Sequence, residues 1–137
     1  MDLIKIGQTG VIYLMTHSEE ELNLQYFLSN KGRILVVTFV GNMDSASIQT
    51  IEKCTSEILQ MKDIKFVIFY FRDTKKIMME ALTQLTIMQK EVRKSCELQI
   101  CSLSPDIREK LSKNGVIRSK ELTNNLADAL AALKGKI

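Results

Sequence analysis

The chain has 137 residues, of which 45% are hydrophobic and 26% charged, so we predict one folded domain and exclude global disorder. The 19 basic and 16 acidic residues leave a formal net charge of +3, and the basic residues are scattered among acids. This balance argues against nucleic acid as the partner.

The N-terminal residues, the histidine and the cysteines bear on location and metal binding. The chain opens with the acidic Asp2, and the apolar stretch at residues 3–6 is too short for a secretory signal. No apolar run approaches the ~18–20 residues of a membrane helix, so we predict a cytoplasmic protein that does not bind membranes. His17 is the only histidine and no Cys-x-x-Cys pair occurs, so neither a metal site nor a cofactor is predicted.

The first predicted element in chain order is an N-terminal β-hairpin. Residues 3–6 and 11–15 favour strands, and residues 7–10 between them are typical of a turn. We expect residues 1–21 to form this extension and residues 22–137 to form the main domain. The hairpin could cap the edge of the sheet or pair with a second copy to make a homodimer.

A second hairpin and a helix come next. We predict strands over residues 22–28 and 34–40, joined by a turn in which Gly32 supplies a positive φ. Asp44 or Ser45 can then cap a helix, because the residues that follow show an apolar stripe with a period of 3.6 residues. The stripe consists of Ile48, Ile51, Thr55, Ile58 and Leu59.

The most apolar stretch of the chain, residues 66–71, predicts a strand buried on both faces of a helix-covered sheet. We place this strand over residues 65–71, followed by a short polar turn and a helix that begins near Ile77. Met79 lies off the apolar stripe of this helix and is expected to be exposed. The stripe itself consists of Met78, Leu82, Leu85, Met88 and Val92.

The C-terminal third continues the alternation of strands and helices. We predict a strand over residues 96–103 and a helix that starts with Ser104 as its cap and ends at Asn114 and Gly115. Residues 116–117 could add a short strand, and Thr123 would cap the last helix. Together the elements predict an α/β fold, with a mixed but mostly parallel sheet and about four helices.

The sequence motifs of common enzymes are missing. Neither the glycine-rich phosphate loops, G-x-x-x-x-G-K-[ST] and G-x-G-x-x-G, nor the nucleophile elbow G-x-S-x-G occurs. Asp44 and Asp73 follow strands that would be neighbours, and could bind Mg²⁺ or act as acid and base. A helix cap and a turn residue are the simpler roles, so the sequence predicts a protein that is not an enzyme.

Four segments in a fixed order resemble the STAS domain, the fold shared by anti-sigma factor antagonists and the cytoplasmic tails of sulphate transporters. Residues 34–44 resemble the family's hydrophobic strand ending in Gly-x-x-Asp. The other three are the buried strand at Phe66, residues 110–116 and the closing helix around residues 127–130. The resemblance covers residues 22–134 and implies the STAS fold, with the N-terminal hairpin outside it.

Antagonists of this family carry Asp-Ser-Ser-Gly at a strand-to-helix junction, where a partner kinase, which is also the anti-sigma factor, phosphorylates one serine. Laid onto this chain without gaps, the motif falls on Met78, Met79, Glu80 and Ala81. None of the four residues is kept, and Glu80 stands where the phosphorylated serine would be. The resemblance therefore implies a divergent antagonist without the usual phosphorylation.

Glu80 has two interpretations. A carboxylate in the first turn of a helix stabilises it by ~0.3–1 kcal/mol, because the N–H groups there are unpaired and the helix dipole is positive. Alternatively, Glu80 mimics a phosphoserine in part, with one negative charge against roughly −1.5 to −2 for phosphate. Other hydroxyl groups near the junction are those of Ser45, Thr74 and Thr83.

The resemblance implies a bacterial regulator in signal transduction and transcription that acts by binding a protein, either an anti-sigma factor kinase or a larger signalling assembly. We expect the contact to use the predicted junction, which comprises Asp44, Ser45, Met78, Met79, Glu80 and Ala81. The alternatives are a scaffold of a signalling complex and a module that senses a small ligand, an anion or a nucleotide, at the start of the helix.

Overall fold

The computed structural model describes residues 4–6 and 23–136, which form one mixed six-stranded sheet whose spatial order follows the order of the chain. The first two pairings are antiparallel and the other three are parallel, as predicted. The strands are β1 (Ile4–Ile6), β2 (Gln25–Lys31), β3 (Ile34–Val40), β4 (Phe66–Asp73), β5 (Glu97–Cys101) and β6 (Leu122–Thr123).

A helix follows each of the last four strands, so the predicted α/β alternation is confirmed. A short 3-10 helix, Ser45–Ser47, precedes the first α-helix, and a second one, Ser119–Glu121, precedes β6. The α-helices of the described residues are α1 (Ile48–Gln60), α2 (Met79–Arg93), α3 (Pro105–Lys113) and α4 (Leu126–Lys134).

The sheet separates two apolar cores. Strand β4 contributes Val67 and Phe69 to the larger core and Phe66 and Ile68 to the smaller one, which confirms that it is buried on both faces. Buried residues of α1, α2 and α3 complete the larger core, whereas α4 covers the smaller one with residues such as Leu133. This arrangement fixes α1 and α2 on the same face and places their N-termini after β3 and β4.

Several local predictions are confirmed, and each of them rests on a sequence pattern of only a few residues. Strand β3 has the predicted bounds, and the Ser104 hydroxyl caps α3 by accepting from the amide of Ile107 at 3.3 Å. Helix α3 ends before Asn114, and Gly115 has a φ of +70°. Burial raises the pKa of the Cys101 thiol to about 11, so this thiol stays protonated in the core.

Several predictions at element ends are wrong. Residues 116–117 are buried outside any strand, and the short strand is instead β6, Leu122–Thr123. Asn125, not Thr123, caps α4 by accepting from the amide of Asp128 at 2.8 Å. Leu59 lies on the exposed side of α1. Strand β2 runs from Gln25 to Lys31 rather than over residues 22–28, and β5 ends at Cys101 rather than at residue 103.

The N-terminal extension is described only at β1. This strand pairs antiparallel with β2, with Ile4 opposite Ser29 and Ile6 opposite Phe27, so it extends the edge of the sheet. The second predicted strand of the hairpin, residues 11–15, lies outside the described residues. The domain division at residue 22 and the homodimer through this extension stay predictions.

Candidate functional site

The carboxyl ends of β3 and β4 carry two loops, residues 41–47 and 73–78, which we call the junction loops. Three backbone hydrogen bonds join them. The amide of Gly41 donates to the carbonyl of Asp73 at 2.8 Å, and that of Met43 donates to Lys76 at 2.9 Å. The amide of Met78 then donates back to the Met43 carbonyl at 2.8 Å. The parallel pairing of β3 and β4 thus continues past their ends, up to Met78, the residue before α2.

Two side chains strengthen this connection. Asn42 Oδ1 accepts from the backbone amides of Lys75 and Lys76, each at 3.0 Å. Thr74, which is buried, donates from its hydroxyl to the Gly41 carbonyl at 2.9 Å. Sequence reasoning did not assign Asn42 this role. A hydroxyl already committed to a buried carbonyl makes Thr74 a poor site of modification.

Gly41 allows the first junction loop to leave the sheet. Its φ of +112° is a conformation that residues with a side chain rarely adopt. A Cβ atom at this position would lie 2.9 Å from the Asn23 carbonyl oxygen and 3.1 Å from Leu24 Cα, both of them backbone atoms. Backbone cannot move aside as a flexible side chain can, so the loop requires glycine here.

Asp44 and Ser45 lie on the first junction loop, and both are exposed. Asp44 caps the short helix Ser45–Ser47, because its Oδ1 accepts from the amide of Ala46 at 2.9 Å. Its own amide donates to the Ser47 hydroxyl at 3.0 Å, which completes a capping box. Asp44 was predicted to cap the helix with the apolar stripe, but it caps the short 3-10 helix that precedes that helix. The N-cap residue of α1 is Ser47, which makes no side-chain capping hydrogen bond, and the Ser45 side chain is exposed.

The start of α2 presents three of the four remaining predicted site residues. Met78 is the N-cap residue, and its side chain is 48% exposed, so its predicted place on the buried stripe is wrong. Met79 is 59% exposed, as predicted, and Glu80 is exposed in the first helical turn. Ala81 is fully buried against the larger core, so its side chain cannot contact a partner.

Helix α2 begins without a side-chain cap, because the Met78 side chain has no oxygen that could accept from the first amides. The first intrahelical bond runs from the amide of Leu82 to the Met78 carbonyl at 2.9 Å. Glu80 therefore supplies negative charge at the positive end of a helix that lacks a cap. On the other side, Lys110 of α3 donates from Nζ to the Ile77 carbonyl at 2.6 Å. The first junction loop, through Met43, and helix α3, through Lys110, thus hold the start of α2 in place.

Asp44 and Asp73 were predicted to follow two neighbouring strands, and the structure confirms that β3 and β4 are adjacent. Within residues 4–6 and 23–136, no three His, Cys, Asp or Glu side chains lie close enough to hold a metal ion. No helix in these same ranges is both long and apolar enough to cross a membrane.

The chain is similar to one protein family. A family model described as the STAS domain matches residues 28–129. No curated protein sequence matches the chain significantly. Among solved structures, an anti-sigma factor antagonist from Mycobacterium paratuberculosis superimposes with a TM-score of 0.71 at 15% identity, over 82% of this chain and 95% of that one.

Three further structures share the fold. The antagonist SpoIIAA in its unphosphorylated form gives a TM-score of 0.65 at 15% identity, over 82% of this chain and 98% of its own. SpoIIAA of Bacillus is also known in a phosphorylated form, with a TM-score of 0.61 at 12% identity, over 82% and 99% of the two chains. Murine Solute Carrier 26 family member A9, an anion transporter, gives 0.66 at 8% identity over 91% of this chain but only 24% of its own.

Proposed function

The chain belongs to the STAS domain family, and on that basis we propose that it is a non-enzymatic regulatory domain that binds a protein partner. The contact uses the exposed side chains of the junction, Asp44, Ser45, Met78, Met79 and Glu80, which we call the docking surface. The observation that carries the proposal is the exposure of two adjacent methionines beside a carboxylate, on loops fixed by hydrogen bonds.

The composition of the docking surface suits a protein partner. Methionine side chains are long, flexible and apolar, so they adapt to another protein's surface and gain about 25 cal/mol for each Å² of apolar area they bury. Met78 and Met79 are among the most exposed large hydrophobic residues of the described chain. The exposed Lys75, Lys76 and Glu80 around them would form the polar rim typical of such contacts.

The fixed junction loops support binding at low entropic cost. Ordering a loop on binding opposes association, but here Asn42, Thr74 and the backbone bonds already hold the loops in one conformation. Lys110 adds a tie from α3 to the start of α2. The backbone that carries Met78 and Met79 is therefore already ordered before a partner binds.

Regulation at this surface differs from the phosphorylation known for SpoIIAA. Glu80 has no hydroxyl group to phosphorylate, and it gives the surface a negative charge that no kinase or phosphatase can change. We propose that the partner recognises this fixed charge. An anti-sigma factor kinase and a signalling assembly both remain candidates for that partner.

Replacing Glu80 by glutamine or serine tests the role of this charge. We expect each variant to weaken partner binding by about tenfold, the effect of losing a charged hydrogen bond. Glu80→Asp keeps the charge, so its affinity should stay within about threefold of that of the parent. A threefold change in affinity corresponds to less than half of the about 1.4 kcal/mol of a tenfold change. Affinity is measured by isothermal titration calorimetry with the purified partner.

The matched control is Glu52→Gln, which removes an exposed carboxylate from α1 and should leave affinity unchanged. Unfolding free energy is measured in parallel, because the helix-dipole effect alone predicts a loss of ~0.3–1 kcal/mol for Glu80→Gln. If that small loss of stability occurs while affinity stays constant, Glu80 only stabilises the start of the helix, and charge recognition is wrong.

Two alternative roles receive less support at the junction. An anion or nucleotide bound at the start of α2 would meet the carboxylate of Glu80 in the first turn, where like charges repel. An enzyme that used Asp44 as acid or base would have to release Oδ1 from the amide of Ala46. A scaffold of a signalling complex would differ from the proposed regulator only in the partner that it binds. It would use the same docking surface.

A further inference from the structure

A polar cleft lies at the amino end of β5, which is the end of the sheet opposite to the junction loops. Its walls are the end of α2, the start of β5, the segment around the short helix Ser119–Glu121, and Lys136 after α4. The cleft encloses about 360 Å³. This volume lies in the lower part of the range of ~300–1,000 Å³ that is usual for small-molecule sites. We call it the β5 cleft.

Gln99, one of the residues that line the cleft, carries a buried, unpaired hydrogen-bond acceptor. Its side chain is only 5% exposed, and its Oε1 has no hydrogen-bond partner within the described part of the chain. Most buried polar groups in folded proteins are paired, because an unpaired one costs about 1–3 kcal/mol. An acceptor kept in this state beside a cleft indicates a ligand that donates a hydrogen bond to it.

The charges around the cleft leave a surplus of positive side chains. Both oxygens of Glu121 accept from Arg93, each at 2.7 Å, and Oε1 also accepts from the amide of Arg118 at 3.1 Å. The second carboxylate, that of Glu97, pairs with Lys136. Among residues 23–136, the side chains of Arg118 and Lys120 line the cleft without an ion pair.

From these observations we infer that the β5 cleft binds a small hydroxylated organic anion, of the class of sugar phosphates and sugar acids. A hydroxyl group of the ligand donates to Gln99 Oε1, and its phosphate or carboxylate is neutralised by Arg118 and Lys120. Both parts are needed, because the acceptor requires a donor and the paired acids already neutralise the remaining cations. This site is separate from the docking surface, and its test does not depend on the proposed protein partner.

A titration of the ¹⁵N-labelled full chain followed by NMR tests the site. Glucose 6-phosphate and gluconate supply the hydroxylated anion with a phosphate or a carboxylate, so comparing them identifies which acid group the cleft prefers. We expect at least one to shift the Gln99 side-chain amide and the backbone amides of residues 97–99 and 118–121 in a saturable way. Glucose lacks the charge and sulfate lacks the donor, so each should bind about tenfold or more weakly, the effect of losing one such interaction.

Three variants make the test specific. Gln99→Met keeps the volume of the side chain and removes the acceptor, and the double variant Arg118→Gln, Lys120→Gln removes the surplus charge. Each should reduce affinity about tenfold. The control Lys53→Gln, Lys62→Gln removes two exposed charges elsewhere and should bind like the parent.

The proposal fails if neither organic anion gives saturable shifts at these residues, because the unpaired acceptor then does not mark a ligand site. It also fails if sulfate binds as tightly as the organic anions, or if Gln99→Met binds them unchanged. Spectra of the free variants that overlay on that of the parent outside the cleft establish that each variant is folded.

Discussion

Replacing Met79 by aspartate is expected to weaken partner binding by about 30-fold or more, which is the effect of losing a residue worth at least about 2 kcal/mol at the centre of an interface. The Met79 side chain is 59% exposed at the first position of α2, so the partner and not the core would bury it. An aspartate at this position would put a charge where the partner is expected to bury an apolar side chain. Surface plasmon resonance with the purified partner measures the effect.

The position of Met79 also excludes unfolding as a trivial explanation. Aspartate in the first turn of a helix is stabilising by ~0.3–1 kcal/mol, so the variant should fold at least as well as the parent. Leu59→Asp is the matched control, because Leu59 is 46% exposed but lies in the last turn of α1, far along the chain from the docking surface. It should bind the partner like the parent. If both variants weaken partner binding equally, the partner does not bind specifically at the docking surface, and the proposal is wrong.

Replacing Gly41 by alanine is expected to lower the free energy of unfolding by about 3–5 kcal/mol, the combined cost of a strained backbone and of overpacking. The φ of +112° disfavours any side chain, and the new Cβ would lie 2.9 Å from the Asn23 carbonyl oxygen. Urea denaturation followed by circular dichroism measures the change.

Gly32→Ala separates the two parts of that cost. Gly32 also has a positive φ, +61°, but no atom of the described residues lies within 4 Å of a Cβ added there. Backbone strain alone predicts a loss of about 1–2 kcal/mol for this control. If Gly41→Ala lowers the free energy of unfolding no more than Gly32→Ala does, the close approach of residues 23–24 does not prevent a side chain at residue 41.

The elements that sequence analysis located correctly carry their signals within a few residues. Strand β3 and the buried strand β4 follow from uninterrupted apolar runs, and the Ser104 cap follows from the serine before the proline at the start of α3. The parallel order of the sheet follows from the alternation of strands and helices. The family resemblance then placed Glu80 at the start of the second helix, where the structure has it.

The details of the docking surface depend on contacts between distant residues. The helical stripe extended one residue too far and placed Met78 in the core, because periodicity does not show where the N-terminal residue of a helix lies. Ala81 lies in the first turn of α2 on the buried side, so alignment with a functional motif did not predict its exposure. The role of Asn42 rests on bonds to residues more than 30 positions away, and nothing local indicates them.

The β5 cleft had no sequence signal for a similar reason. Gln99 lies in a strand where a polar side chain usually faces solvent, and its burial depends on elements that follow much later in the chain. Arg118 and Lys120 lie in or beside the short helix Ser119–Glu121, which the sequence did not predict. Only the fold brings these residues to one place.

Amide hydrogen exchange of the chain, alone and bound to its purified partner, tests the central proposal most directly, because it locates the contact without any substitution. The docking surface predicts slower exchange on binding at residues 43–46 and 77–80, with little change along α4 and at the β5 cleft. Protection confined to α4, to β1 or to the β5 cleft, with none at the junction, would contradict the proposal that the partner binds beside Glu80.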